Sequence, residues 1–352
     1  MSISERALLE VRDLHTHFLT ARGTVKAVDG ISFDLDRGHT LGIVGESGSG
    51  KTVLSRSIMR MLPRVNVVRG GEVKYDGQPL SSMSESDLRD IRGAEISMVF
   101  QDPMTSLNPV VRIGRQITET MRHHLKIGGG EATSRAVDLL RSVGIPDPER
   151  RLREYPHQLS GGMRQRITIA IALSCGPRLL LADEPTTALD VTVQAQILDL
   201  LTRQQRERFM AMVLVTHDLG VVAGRTDEIA VMYAGKIVER APTPVLFRAM
   251  KHRYTQALFR SIPRVTDPAH RRLDTIAGRP PDLANLGPGC PFAPRCRYAR
   301  ERCVAEAPPL MQVESGHFHA CWYPVEAGEV DVEVVTRSET AAPAVVEAEQ
   351  AS

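Results

Sequence analysis

The segment Gly45-Glu-Ser-Gly-Ser-Gly-Lys51-Thr52 constrains this chain more than any other. It satisfies the pattern GxxxxGK[ST], follows the buried-strand run Leu41-Gly-Ile-Val-Gly45, and leads into a predicted helix from Lys51 to about Met61. That context of strand, loop and helix is the one the pattern requires. The glycines let consecutive backbone N–H groups turn inward as an anion nest, and the following helix adds its positive N-terminal dipole. In such a loop Lys51 contacts the β- and γ-phosphates of a nucleotide and the Thr52 hydroxyl ligates Mg²⁺.

A second half-site follows from Leu179-Leu-Leu-Ala-Asp183-Glu184. A carboxylate at the end of a buried parallel strand lies at the edge where α/β sheets bind ligands. Asp183 is placed to hold the Mg²⁺ shell and Glu184 to polarise an attacking water. Another buried strand, Met212-Val-Leu-Val215, is separated from the first by an amphipathic helix from Val191 to about Arg206. Strand, helix and strand in alternation predict a parallel sheet. Strand-period patterning from Leu9 to Leu35, punctuated by Gly23, Gly30 and Gly38, predicts an antiparallel β-layer. Residues 85 to 175 read mainly as helical, and strand signals resume at Glu228–Tyr233 and Lys236–Val238.

Composition excludes several classes. No stretch approaches the roughly 18 to 20 consecutive apolar residues that span a bilayer, and no basic-then-apolar export signal opens the chain. A cytoplasmic protein is expected, with any membrane role exerted through a partner. A formal net charge of +2 provides no global field for nucleic acid.

Leu159-Ser-Gly-Gly-Met-Arg-Gln-Arg166 narrows the class, because it resembles the signature motif of the ABC ATPase family. Its glycines precede a helical run, which makes a second N-terminal anion site. The resemblance implies that Ser160, Gly161, Gly162 and Gln165 face the γ-phosphate held by a partner cassette, so that one chain alone is an incomplete enzyme. It also implies nucleotide contacts from Phe18, Gly45, Glu46, Ser47, Gly48, Ser49, Gly50, Lys51, Thr52, Gln101 and Asp183, with Mg²⁺ held through Thr52, Gln101 and Asp183. Lys51, Glu184 and His217 are the implied catalytic residues, His217 lying 33 residues after Glu184. Asp190, in Ala188-Leu-Asp190, matches the loop that communicates across the cassette dimer. Phe18 stands where the family more often has an adenine-stacking tyrosine, with His17 as the alternative.

The segments Phe100-Gln-Asp-Pro-Met-Thr-Ser-Leu-Asn-Pro109, Tyr155-Pro-His-Gln-Leu159 and Gly289-Cys-Pro-Phe-Ala-Pro-Arg-Cys296 extend the resemblance to ATPase subunits of oligopeptide and dipeptide importers. It covers about residues 7 to 324. It implies an α/β P-loop cassette at 7–262 with a RecA-like parallel sheet, the antiparallel β-layer and a helical subdomain at about 103–176. A small Cys-rich domain follows at 263–325, and a disordered tail rich in Ala, Val and Glu at 326–352. The implied partners are a second ATPase subunit, in a heterodimer or a homodimer, two transmembrane permease subunits and an extracytoplasmic peptide-binding protein. The implied place is the cytoplasmic face of the cell membrane, as a peripheral subunit. Nickel and glutathione importers share the subfamily, and a soluble, non-transport ABC ATPase is the reading from another class.

Cys290, Cys296, Cys303 and Cys321 offer four thiolates in a proline-rich segment with too few apolar residues to fold by burial alone. A [4Fe–4S] cluster, a structural Zn²⁺ and four unrelated buried cysteines all remain open, although the spacing lacks the short CxxC knuckles of zinc ribbons and so favours iron–sulfur. In related peptide-importer ATPases this motif is associated with a [4Fe–4S] cluster. His317 and His319, close to Cys321, could substitute as zinc ligands but read rather as solvated or as neighbours of the ligands, and Cys175 reads as a small buried hydrophobe.

Overall fold

The structure, a computed structural model, describes residues 7–102, 106–187, 189–261 and 276–326. The expected domain boundary at 262/263, the tail beyond Glu326, and Ala188 lie outside the described residues.

Among the described residues the strands run β1 (Leu9–Thr20), β2 (Gly23–Leu35), β3 (Thr40–Val44), β4 (Val67–Tyr75), β5 (Gln78–Pro79), β6 (Ile96–Val99), β7 (Leu179–Asp183), β8 (Ala211–Thr216), β9 (Glu228–Tyr233), β10 (Lys236–Pro242), β11 (Met311–Glu314) and β12 (His317–His319). They form two sheets. The first, in the order β2-β1-β4-β5, is the antiparallel layer that the alternation of Leu9, Val11, Ile31, Phe33 and Leu35 predicts. The second, in the order β11-β12-β10-β9-β3-β8-β7-β6, is parallel from β9 to β6 and antiparallel from β9 outward through β10 and β12 to β11.

The central strands are continuous apolar runs because both faces are covered. Leu180, Ala182, Met212 and Leu214 pack toward the helices Gly161–Leu173 and Val191–Arg208. Leu179, Leu181, Val213 and Val215 pack with Val11, Ile31 and Phe33 of the antiparallel layer. Each of these leucines and valines is at most 1% exposed, and burying one contributes about 1.5–3 kcal/mol. Among the described residues no helix is long and apolar enough to cross a membrane.

Two departures from the sequence reading matter. Ile96–Val99 is a fully buried strand paired in parallel with β7, although the surrounding stretch reads as helical. Four residues are too few to show a period against helical flanks. The C-terminal region, expected as a small Cys-rich domain with too few apolar residues to fold by burial alone, adds β12 and β11 to the main sheet, with the Ala320 N–H donating to Val238 O at 2.8 Å. His317 and His319 are accordingly buried, not solvated, and the His317 ring pairs with Glu239 at 3.0 Å.

Candidate nucleotide-binding site

Four neighbouring parallel strands, β3-β8-β7-β6, end at one edge of the main sheet. β3 stops at Val44 beside Gly45, β8 at Thr216 beside His217, β7 on Asp183 itself, and β6 two residues before Gln101. The sheet thus gathers residues from four separate stretches of sequence at the ligand-binding edge of an α/β fold.

The phosphate loop has room only for glycine at its two ends. A Cβ on Gly45 would lie 2.2 Å from Met232 O, and one on Gly50, whose φ is +104°, would lie 2.0 Å from Ala27 O. The helix Lys51–Ile58 that follows has no side-chain cap, so its first N–H groups are left for an anion. Lys51 is 4% exposed; its ammonium donates to Gly45 O at 2.7 Å and Glu46 O at 3.0 Å and lies 3.8 Å from Glu184 Oε1. Burial pulls the Lys51 pKa down, against the opposing pull of Glu184 and Asp183.

Asp183 is 1% exposed, and its Oδ1 accepts from the Thr52 hydroxyl at 3.1 Å. Its Oδ2 has no hydrogen-bond partner. A buried carboxylate oxygen left open beside a hydroxyl suits a hard cation such as Mg²⁺. Burial pushes the Asp183 pKa up, the direction expected of a carboxylate whose charge calls for a cation.

Glu184 occupies the left-handed region at φ +46°, a conformation that costs of order 1–3 kcal/mol and collects at functional sites. Its N–H donates to Val215 O at 3.0 Å, and its Oε2 accepts from Gln101 Nε2 and Thr187 Oγ1, each at 3.0 Å. His217 Nδ1 lies 3.4 Å from the same oxygen, and the His217 side chain is 55% exposed. The contact with His217 holds the Glu184 carboxyl below its ordinary range and raises the imidazole pKa.

Ser160 caps the helix Gly161–Leu173, its hydroxyl accepting from the Met163 N–H at 3.3 Å. Asp190 caps Val191–Arg208 in the same way through the Val193 N–H at 2.9 Å. A Cβ on Gly161 would touch Leu189 and one on Gly162 would touch Val193, so the signature loop and the Asp190 loop abut. Gln165 does not share their exposed surface. It is 1% exposed, on the inward side of its helix, and its side-chain amide has no hydrogen-bond partner. On β1, the His17 ring lies 3.0 Å from Asp29 Oδ1, an aspartate also joined by His15 and Lys236. Its neighbour Phe18 is half-buried, opposite Val25 and Val67.

Cys290, Cys296, Cys303 and Cys321 line one cavity, although up to 31 positions of sequence separate them. Burial pushes the Cys290 thiol up to about 11 and raises Cys296 and Cys321 as well. Cys175 is half-buried, beside Ser174 and Thr120.

The fold and this edge define a P-loop ATPase cassette of the ABC class. The model of the ABC transporter family matches residues 28–187, and that of the oligopeptide/dipeptide transporter C-terminal region matches residues 238–303. The chain is 48% identical over 316 residues to the oligopeptide transport ATP-binding protein OppD of Bacillus subtilis, covering 90% of this chain and 88% of that protein. It is 49% identical to the dipeptide transport ATP-binding protein DppD of the same organism, over 90% of this chain and 94% of the relative. Among solved structures, the dimeric ATP-binding cassette MJ0796 bound to ADP and Pi aligns with a TM-score of 0.60 at 26% identity, over 67% of this chain and 98% of that one. The chain belongs to the ATP-binding proteins of the oligopeptide/dipeptide ABC transporter family.

The sequence reading missed three residues at the site. Thr187 anchors Glu184, and its position directly after Glu184-Pro-Thr was the available signal. Tyr254 and Arg295 reach the phosphate loop from 208 and 249 residues away. No local pattern announces contacts at that separation.

Proposed function

We propose that this chain is the ATP-hydrolysing subunit of an importer for di- or oligopeptides, acting at the cytoplasmic face of a membrane through two permease subunits and an extracytoplasmic peptide-binding protein. The observation that carries the hydrolytic reading is the Glu184 carboxylate. It is buried and held ionised, and Gln101, Thr187 and His217 all converge on one of its oxygens. A carboxylate oriented in this way accepts a proton from an attacking water. Lys51 and the loop from Gly45 to Thr52 hold the phosphates, and Phe18 stacks on the adenine. Thr52, Asp183 and Gln101 would hold Mg²⁺, which would supply charge neutralisation to the transferred phosphoryl group. Exposed Ser160 and Gly161, with half-buried Gly162, serve the nucleotide of a second cassette, in a heterodimer or a homodimer. The peptide cargo rests on the kinship with OppD and DppD.

The same reading takes 263–325, whose strands β11 and β12 lie on the main sheet, as a Cys-rich C-terminal module carrying a [4Fe–4S] cluster on Cys290, Cys296, Cys303 and Cys321. Four thiols lining one cavity support it. No three of their sulfurs lie within 4.8 Å of one another, whereas the edge of a Zn–thiolate tetrahedron is about 3.8 Å. A cluster there stabilises the module in place of a larger apolar core.

Affinity purification from membranes, with identification of the co-purifying subunits and peptide-stimulated ATPase assays, tests the transport reading. Recovery without permeases would overturn it. Iron analysis and EPR on anaerobically purified protein test the cluster, and an iron-free preparation sinks it.

A further inference from the structure

The phosphate loop is gripped from outside its own motif. Arg295, 5% exposed along its side chain, forms a two-pronged ion pair with Glu46: Nη1 to Oε2 at 2.6 Å and Nη2 to Oε1 at 3.0 Å. Its remaining donors go to Tyr233 Oη at 3.3 Å, Ala277 O at 2.9 Å and Ile276 O at 3.3 Å. The guanidinium fork therefore finds an acceptor in every direction, and its orientation is set.

Glu46 is the second residue of the loop and is held at three points. Arg295 takes its carboxylate, the Tyr254 hydroxyl accepts from its N–H at 2.8 Å, and its carbonyl accepts from the Lys51 ammonium at 3.0 Å. Phe292 packs beside this clamp, its ring centroid 5.4 Å from that of Tyr233 and 5.3 Å from that of Tyr254.

Phe292 and Arg295 both lie between Cys290 and Cys296. Backbone bonds from Ala293 N to Cys290 O, Arg295 N to Phe292 O and Cys296 N to Ala293 O tie this stretch into one compact turn. Whatever fixes the two thiols fixes the base from which Arg295 projects.

We propose that Arg295 is a positioning residue for ATP binding. Through Glu46 it holds the carbonyl that receives Lys51, and it makes nucleotide affinity depend on the state of the four-cysteine site. The clamp stands on its own geometry, while the dependence on the thiols rests on the metal-cluster reading above. A loop held in its binding conformation loses less freedom when nucleotide arrives, so release of the clamp appears as weaker binding.

The test measures binding of a fluorescent ATP analogue to the full-length chain in a double-mutant cycle. Arg295→Met and Glu46→Gln are each expected to raise Kd about tenfold, with the double variant no worse than the weaker single, and Arg295→Lys is expected to recover part of the loss. Unchanged affinity in both single variants, or effects that multiply to about a hundredfold in the double, would overturn the clamp. Should Arg295→Met fold poorly, Glu46→Gln and Arg295→Lys carry the same comparison. Anaerobic removal of bound iron from the wild-type chain is expected to raise Kd by a similar factor, and to raise it no further in Glu46→Gln. Full affinity after iron removal overturns the coupling. A chain that never binds iron instead sinks the cluster reading and with it the coupling, while the mutant cycle decides the clamp.

Discussion

Thr52 and Asp183 are 131 positions apart, yet the Thr52 hydroxyl lies 3.1 Å from Asp183 Oδ1. Parallel pairing of β3 with β8 and of β8 with β7 brings the two strand ends to the same edge. The other oxygen of Asp183 has no hydrogen-bond partner. Asp183→Asn is expected to raise the Mg²⁺ concentration needed for half-maximal ATPase activity by about tenfold or more. A Mg²⁺ titration of the assembled transporter measures it, and an unchanged midpoint would remove Asp183 from the cation site.

Glu184→Gln keeps the side chain's shape and removes the proton acceptor. The expected result is ATP binding close to wild type with hydrolysis slowed by about 10²–10⁴-fold. Phosphate release and nucleotide binding, measured on the same preparation, separate the two effects. Normal turnover would rule out the role assigned to Glu184.

The Glu184–His217 pair has a defined pH signature. The His217 pKa is raised from 6.5, chiefly by its hydrogen bond to Glu184, so its contribution is full below that value and fades as pH rises through the raised one. The Glu184 pKa is lowered from 4.5, chiefly by His217, so its contribution is present above that value and fades as pH falls through the lowered one. The charged pair therefore spans the interval between the two shifted values. NMR titration should place the His217 midpoint above 6.5 in the wild type. In Glu184→Gln it should move down, and an unmoved midpoint would contradict the pairing.

Ser160 separates stability from function. As an exposed N-cap with a single bond to the Met163 N–H, it contributes only about 1 kcal/mol to its helix. Ser160→Ala should lower the melting temperature by a few degrees at most, while reducing ATPase activity of the assembled transporter far more strongly. Equal, small losses in both would make Ser160 a cap and nothing else.

Glu239 anchors the C-terminal strands. It is 0% exposed and accepts from the N–H groups of Lys251 and His252 and from the His317 ring. Glu239→Ala strands those donors in the interior, and about 3–5 kcal/mol of stability should be lost. Denaturant unfolding measures this, and a loss below about 1 kcal/mol would show that the anchor is redundant.

Local chemistry wrote much of this protein into its sequence. The spacing of Gly45, Gly50, Lys51 and Thr52 specifies a nest and a helix N-terminus within eight residues, and the apolar runs before Asp183 and His217 read as buried strands. These features depend on φ angles, hydrogen-bonding capacity and hydrophobic period, all of which are properties of neighbours in the chain. Strand β6 escaped that reading because four buried residues carry no period. Strands β11 and β12 escaped it because their pairing depends on β10, about eighty residues before its partners in β12.

Only the tertiary structure could decide where long-range partners meet. It turned Gln165 inward, buried His317 against Glu239, and brought four cysteines to one cavity. It also closed Arg295 on Glu46 across 249 positions. Such contacts follow from how the sheet stacks its strands and how the chain returns to them. The phosphate loop is thus a local invention of the sequence, whereas the grip that the cysteine segment has on it exists only in the folded chain.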